Sequence, residues 1–410
     1  MQKLISRTKN VDLIRWSAAI FAMSFSFGIA VNSISFFLFV FAGIAISIND
    51  IVRKRDLPSL KQFNFPLIVF FAWIAIRETF VSPSEAFQVV FYYLAFLIVP
   101  LVIGFQAQRL KKELPIILKA FLLGCIINAM VNLGFGIYRG VILNESGINF
   151  WYFTYQFLAE PFGMQPIYLG FFYVFALLIL VSFSELRKHK VLYYATFCLL
   201  SLSIVLLAAR NAMVCLVLLV PLYLVIREKI SFKKVLVVLG ILGVCFALAL
   251  QNPIIKNRIL KVNKKGNFFS GSSLRAGIWN SAYNASQNDI FWGSGEKKGS
   301  ILLLQEFETR KLEIPLKYKY HAHSQYLQTL LQYGILGFLL LLSTLLWPLV
   351  RSFVLRNYLG LFWILLVCLT SVTEAIFTRQ WGVYGFAFFT CLLLLREDVS
   401  GSEQKPDKDT

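Results

Sequence analysis

The chain has 410 residues, 58% of them apolar, and a mean hydropathy of +0.69, a balance far outside that of a soluble domain and typical of a polytopic membrane protein. Its 40 Lys/Arg stand against 21 Asp/Glu, a formal charge of +19. In a membrane chain this excess points to anionic partners, either lipid headgroups or phosphorylated substrates. It argues against nucleic acid, because no soluble basic domain exists to bind it.

Apolar runs in chain order predict an all-α protein of about twelve spans, near 12–30, 33–49, 64–81, 86–105, 115–137, 166–184, 191–209, 212–227, 235–251, 324–348, 357–376 and 382–395. Lys3, Arg7 and Lys9 before the first run resemble the start of a signal peptide. The next span follows at once, however, so the first reads as uncleaved. Basic residues mark alternate connections: Arg53, Lys54, Arg55 and Lys61; Arg109, Lys111 and Lys112; Arg187, Lys188 and Lys190; Arg227, Lys229, Lys233 and Lys234; Arg351 and Arg356. By the positive-inside rule these connections and both termini face the cytoplasm. Cys125, Cys198, Cys215, Cys245, Cys368 and Cys391 all fall in apolar runs and read as small buried hydrophobes.

The chain thus divides into spans one to nine (1–252), a large outside loop (253–322), spans ten to twelve (323–395) and a polar tail (396–410) expected to be disordered. A medium outside loop, 138–165, is rich in aromatics: Phe150, Trp151, Tyr152, Phe153, Tyr155 and Phe157. These suit the membrane interface or the stacking of sugars. The large loop carries twelve Lys/Arg against five Asp/Glu, an excess that an anionic substrate or acidic lipid would explain. Within it, Ser272–Trp279 opens a capped amphipathic helix running to about Asn288, with Leu274, Ile278 and Ala282 on one face and Arg275, Trp279 and Tyr283 beside them. Asp289–Gly295 then breaks it, and 301–312 forms a second amphipathic piece.

The loop ends in Tyr320-His321-Ala322-His323-Ser324-Gln325-Tyr326, which holds two of the chain's three histidines. Ser324 is placed to cap the following helix. From His323, helical steps put Leu327, Leu330, Gly334 and Gly337 on one face, where the glycines would admit a close helix contact. His323-Ser324, nine residues, Gly334, two residues and Gly337 closely resemble the His-[Asn/Ser/Gln]-x9-Gly-x-x-[Gly/Thr/Tyr] signature of the bacterial O-antigen ligase and polymerase superfamily. An Arg-x3-Trp helix and a Gly-x-Gly turn commonly precede that signature, and both occur here in that order. The resemblance implies a GT-C-like membrane glycosyltransferase. It also links an arginine in the turn holding Arg210 to the lipid-pyrophosphate donor.

The residues agree with that chemistry. Histidine exchanges protons near neutral pH, and a helix N-terminus disfavours the imidazolium, so His323 suits a general base, with His321 beside it. Arg210 lies in a tight turn between two apolar spans, where a charge is costly unless it has a role. Arg275 offers two-pronged bonds to phosphate oxygens. Arg77, Arg139 and Arg379 are possible lining residues, with Glu78, Glu85 and Glu374 nearby in depth. No Asp-x-Asp, His/Cys ligand cluster or P-loop is visible, so neither a metal nor a cofactor is expected.

The reading is a metal-independent, inverting glycosyltransferase of the bacterial cytoplasmic membrane, with a periplasmic site. It would move an undecaprenyl-pyrophosphate-linked O-antigen glycan onto a lipid A–core sugar in lipopolysaccharide biosynthesis. A repeat-unit polymerase, whose acceptor is another glycan, would use the same chemistry. A transporter or flippase is the rival from another class, but it predicts mid-membrane charges and internal repeats, and neither is evident.

Overall fold

The computed structural model describes residues 2–53, 63–144, 147–228, 232–260 and 272–395. The expected tail 396–410 lies outside these residues, as do Lys54, Arg55, Lys61, Lys229, Lys261, Lys264 and Lys265. Every regular element among the described residues is helical. In chain order they are α1 (Gln2–Ser24), α2 (Ile29–Val52), α3 (Phe65–Val81), α4 (Pro83–Tyr93), α5 (Ala95–Phe105), α6 (Ala107–Ile137), α7 (Tyr155–Leu158), α8 (Pro166–Ser182) and α9 (Lys190–Leu206). There follow α10 (Arg210–Glu228), α11 (Phe232–Leu250), α12 (Pro253–Leu260), α13 (Ser272–Ser286), α14 (Glu296–Thr309), α15 (Glu313–Lys317), α16 (Gln325–Val354), α17 (Tyr358–Thr373) and α18 (Gln380–Leu393).

Each expected apolar run coincides with helix, although the run at 86–105 is two helices meeting at Leu94. Among the described residues, Ile29–Val52, Pro83–Phe105, Ala107–Ile142, Arg210–Arg227 and Gln325–Val354 are long and apolar enough to cross a bilayer. Pro166–Ser182, Lys190–Leu206, Leu236–Leu250, Tyr358–Thr373 and Gln380–Leu393 are shorter apolar helices.

Helix α8 is the centre of the bundle. It is apolar on all sides and buried from Tyr168 to Val181, as expected of a helix with no solvated face. α6, α9, α10 and α17 pack around it. Phe121, Phe172, Phe175, Trp363 and Phe389 interlock beside it, joined through Phe25 to Phe21 and Phe388. Apolar packing alone does not hold helices together in lipid, and buried polar contacts supply specificity. Asn128 donates to the Ser26 carbonyl and accepts from Tyr173 and Asn132. Outer helices such as α2 and α10 expose Ile34, Phe41, Val217 and Leu218, which suits a lipid-facing surface. Four of the cysteines are buried as expected; Cys198 is exposed on α9 and Cys368 only half-buried.

Helices α13 and α14 form a second, smaller core against the start of α16, built from Ile278, Ala282, Ala285, Leu303, Phe307, Ala322 and Leu331. The two amphipathic pieces expected in this stretch are these helices, although the second starts at Glu296.

Gly334 does not serve a helix contact. It breaks α16 at φ 66°, ψ −168°, a backbone region open essentially to glycine. The break strands helical groups, and four of them find partners elsewhere. Ser294 N–H donates to the Leu331 carbonyl (3.0 Å), Gly295 N–H to Gln332 (2.8 Å) and Trp73 Nε1 to Tyr333 (3.0 Å), while Ile335 N–H donates to Ile290 (2.8 Å). A Cβ on Gly334 would sit 2.3 Å from the Phe291 carbonyl oxygen. The motif glycine and the Gly293-Ser294-Gly295 turn are therefore one interlocked unit. Gly337 does meet a neighbouring helix: a Cβ there would press on the Trp73 indole of α3 at 3.2 Å.

Candidate active site

Arg210, Arg275 and His323 line one open cavity of about 310 Å³, together with Tyr155, Ile167, Ala208, Ala209, Asn211, Leu274, Ile278, Tyr320, Thr373 and Glu374. Its size falls at the lower end of small-molecule sites, roughly 300–1,000 Å³. Five chain segments that are remote in sequence build it. Their helix ends lie opposite the ends carrying Arg187, Lys188, Lys190, Arg227, Arg351 and Arg356.

Arg210 is the first residue of α10. The unpaired first-turn N–H groups and dipole of that helix therefore meet the cavity where Ala209, Arg210 and Asn211 line it, an arrangement suited to an anion. Asn211 fixes the turn by donating to Thr373 Oγ1 at 2.8 Å. Arg275 comes from the first turn of α13 and is half-buried. The lining also includes a carboxylate, which the two histidines face.

That carboxylate is Glu374, one residue past the end of α17 and 3% exposed. His321 Nε2 lies 3.3 Å from its Oε1, and His323 Nδ1 lies 3.3 Å from its Oε2. Burial pushes the Glu374 carboxyl up, but the hydrogen bonds and charges of the two histidines outweigh it and hold the group at about 2. An ionised carboxylate only accepts, so both facing nitrogens carry protons. For a neutral His323 with its proton on Nδ1, the lone pair is on Nε2, the nitrogen able to take up a proton. For His321 the same logic puts the proton on Nε2 and leaves Nδ1 as an acceptor. His323 N–H duly donates to His321 Nδ1 at 3.1 Å. This is the orienting logic of a carboxylate–histidine pair, doubled.

The backbone here is strained and over-determined. His323 has φ +48°, as do Ala208 and Tyr155, which also line the cavity; such left-handed non-glycine residues cost on the order of 1 kcal/mol each and cluster at functional sites. Trp279 Nε1 donates to the His323 carbonyl at 3.2 Å. Ala322 N–H donates to Gln328 Oε1 and Gln325 N–H to the Glu374 carbonyl. Ser324 is the N-cap of α16 as expected, but its side chain makes no capping bond.

The remaining candidates lie outside the cavity lining. Arg77 donates to the Gly293 carbonyl and pairs with Asp289 at 2.5 Å, so it clamps the turn beneath Gly334. Arg139 is exposed over the Phe135 and Tyr152 rings. Arg379 is exposed as the N-cap of α18. His321 touches the site through Glu374 and through its ring, 4.3 Å from that of His323.

A ligand cluster unseen in the sequence does form: atoms of His321, His323 and Glu374 lie within 4.8 Å of one another. Its atoms are hydrogen-bonded among themselves: His321 Nδ1 accepts from the His323 N–H, and its Nε2 faces Glu374. The sequence reading missed how closely Glu374 engages both histidines. A charged residue ending an apolar run is the signal that pointed toward it.

The O-antigen ligase family model matches residues 195–342. The matched stretch contains Arg210, Arg275, His323, Gly334 and Gly337, but not Glu374. Over that stretch the chain is similar to the O-antigen ligase family, as the histidine–glycine signature suggested. No curated relative matches the chain.

Proposed function

We propose that the chain transfers an undecaprenyl-pyrophosphate-linked O-antigen glycan to a sugar hydroxyl of lipid A–core. The observation that carries this reading is the convergence of Arg210, Arg275 and a carboxylate-oriented His323 in one cavity. Arg210, Arg275 and the α10 N-terminus hold the donor pyrophosphate. His323 Nε2 takes the proton of the acceptor hydroxyl. The oxygen attacks the anomeric carbon from the face opposite the phosphate, the carbon–oxygen bond to phosphate breaks, and configuration inverts. Undecaprenyl pyrophosphate leaves with its charge on the two guanidinium groups. The imidazolium formed at His323 is neutralised by Glu374. No step calls for a metal or cofactor.

The donor's tail has an apolar place near the arginines. A groove of about 550 Å³ between α9 and α11, lined by Leu199, Leu202, Ile241, Val244 and Leu248 among others, runs along the helix whose end leads into the Arg210 turn. In this reading twelve helices span the cytoplasmic membrane, both termini are cytoplasmic, and the cavity opens to the periplasm. The basic helix ends opposite the cavity support that orientation. A flippase would place its charges near mid-membrane, whereas here they gather at one end of the bundle. A polymerase would use the same cavity with a repeat unit as acceptor.

The test is His323→Ala in a strain lacking the gene, with lipopolysaccharide resolved by gel and the lipid-linked intermediate assayed. A ligase gives uncapped core with long polymer accumulating on undecaprenyl pyrophosphate. A polymerase gives core bearing a single repeat unit. Normal product at normal protein abundance removes His323 from the mechanism.

A further inference from the structure

The cavity wall contains two aromatic side chains that the proton transfer and the phosphate contacts leave unused. Tyr155 comes from the 147–165 connection and Tyr320 from the segment just before the histidines. The Tyr320 ring stands edge-on to His323, with centroids 5.2 Å apart and planes at 90°. Tyr318 stacks on Tyr320 at 6.1 Å and 26° and is itself exposed. Tyr155 is held at φ +48°, a conformation a tyrosine adopts only where its surroundings impose it.

We propose that Tyr155 and Tyr320, backed by Tyr318, form the acceptor subsite and that this subsite takes the face of a pyranose ring. The inference rests on the transferase reading above and deepens it. An acceptor hydroxyl must come within about 3 Å of the accepting histidine nitrogen, and Tyr320 is the aromatic ring packed against that histidine. The C–H face of a sugar is apolar and its rim is polar. A tyrosine matches both, with an apolar ring and a hydroxyl handle. Burial, reinforced by the neighbouring Tyr155 and Tyr318 hydroxyls, pushes the Tyr320 phenol above its usual range, so it remains a neutral O–H donor to such a rim. A phosphorylated or acidic acceptor group would be drawn to Arg210 and Arg275 instead.

The full chain in detergent, assayed with a lipid-linked glycan donor and lipid A–core acceptor varied separately, tests this. Tyr320→Ala and Tyr155→Ala each raise the acceptor KM about tenfold and leave the donor KM within twofold. Tyr320→Phe, which keeps the ring, stays within threefold of wild type. Tyr283→Ala, on the exposed side of α13, changes neither. If the wild-type chain is active but Tyr320→Ala lowers kcat with both KM values unchanged, or raises both KM values together, the ring has a packing role and the subsite is wrong. Wild-type protein that transfers glycan to neither lipid A–core nor a repeat unit overturns the transferase reading, and the subsite with it.

Discussion

Glu374→Gln is the sharpest test of how the site works. The carboxylate accepts from two histidines at 3.3 Å, whereas an amide offers one acceptor oxygen and one N–H₂ donor. One histidine must therefore meet a donor. If it is His323, its proton moves to Nε2 and the lone pair turns away from the cavity. The drop of the Glu374 carboxyl from 4.5 to about 2 corresponds to roughly 3 kcal/mol of preferential interaction with the ionised form. The group is almost fully buried, so little of this is lost to solvent screening. His321 shares this carboxylate, so only part of that energy acts on His323 as it becomes cationic, and its loss lowers kcat by roughly tenfold or more. Glu374→Asp recovers little, because a shorter side chain cannot reach both rings. The sign for stability follows from the lowered folded-state value: the contribution is complete above the ordinary carboxyl range and is lost as pH falls through about 2. The assay is single-turnover glycan transfer by purified protein, with thermal unfolding run in parallel. A variant that folds normally and transfers within threefold of wild type would refute the orienting role.

Three further outcomes are expected. Arg275→Lys keeps the charge but loses the two-pronged phosphate geometry and lowers donor kcat/KM by about ten- to a hundredfold; unchanged activity would remove that role. Purified protein stays fully active in chelator, and a requirement for added Mg²⁺ would sink the metal-free mechanism. Gly334→Ala combines backbone strain with loss of the three hydrogen bonds that lock the 290–295 turn to α16 and of the Trp73 bond from α3, about 3–5 kcal/mol in all, read as a fall in folded protein recovered from membranes; normal recovery and melting temperature would show the turn can shift without loss.

Residue type and spacing determined a great deal here. Apolar periodicity located every long helix, because a segment buried in lipid must satisfy its backbone internally and so declares itself by length and hydropathy. The histidine–glycine spacing singled out His323, the proposed base, and the rarity of charge in apolar turns singled out Arg210. Tertiary structure decided what these residues do together. Glu374 lies 51 positions from His323, and nothing local says that α17 ends against the start of α16. Arg77 and Arg210 look alike as arginines at the ends of apolar runs. Packing makes one a clamp on the Gly293 turn and opens the other to the cavity. Gly334 looked like a smooth helical face because helical wheels assume an unbroken helix; only the approach of the Phe291–Gly295 turn shows it as a break. Partners fixed by side-chain chemistry and sequence neighbours are legible in one dimension. Partners fixed by which helix ends meet require the fold.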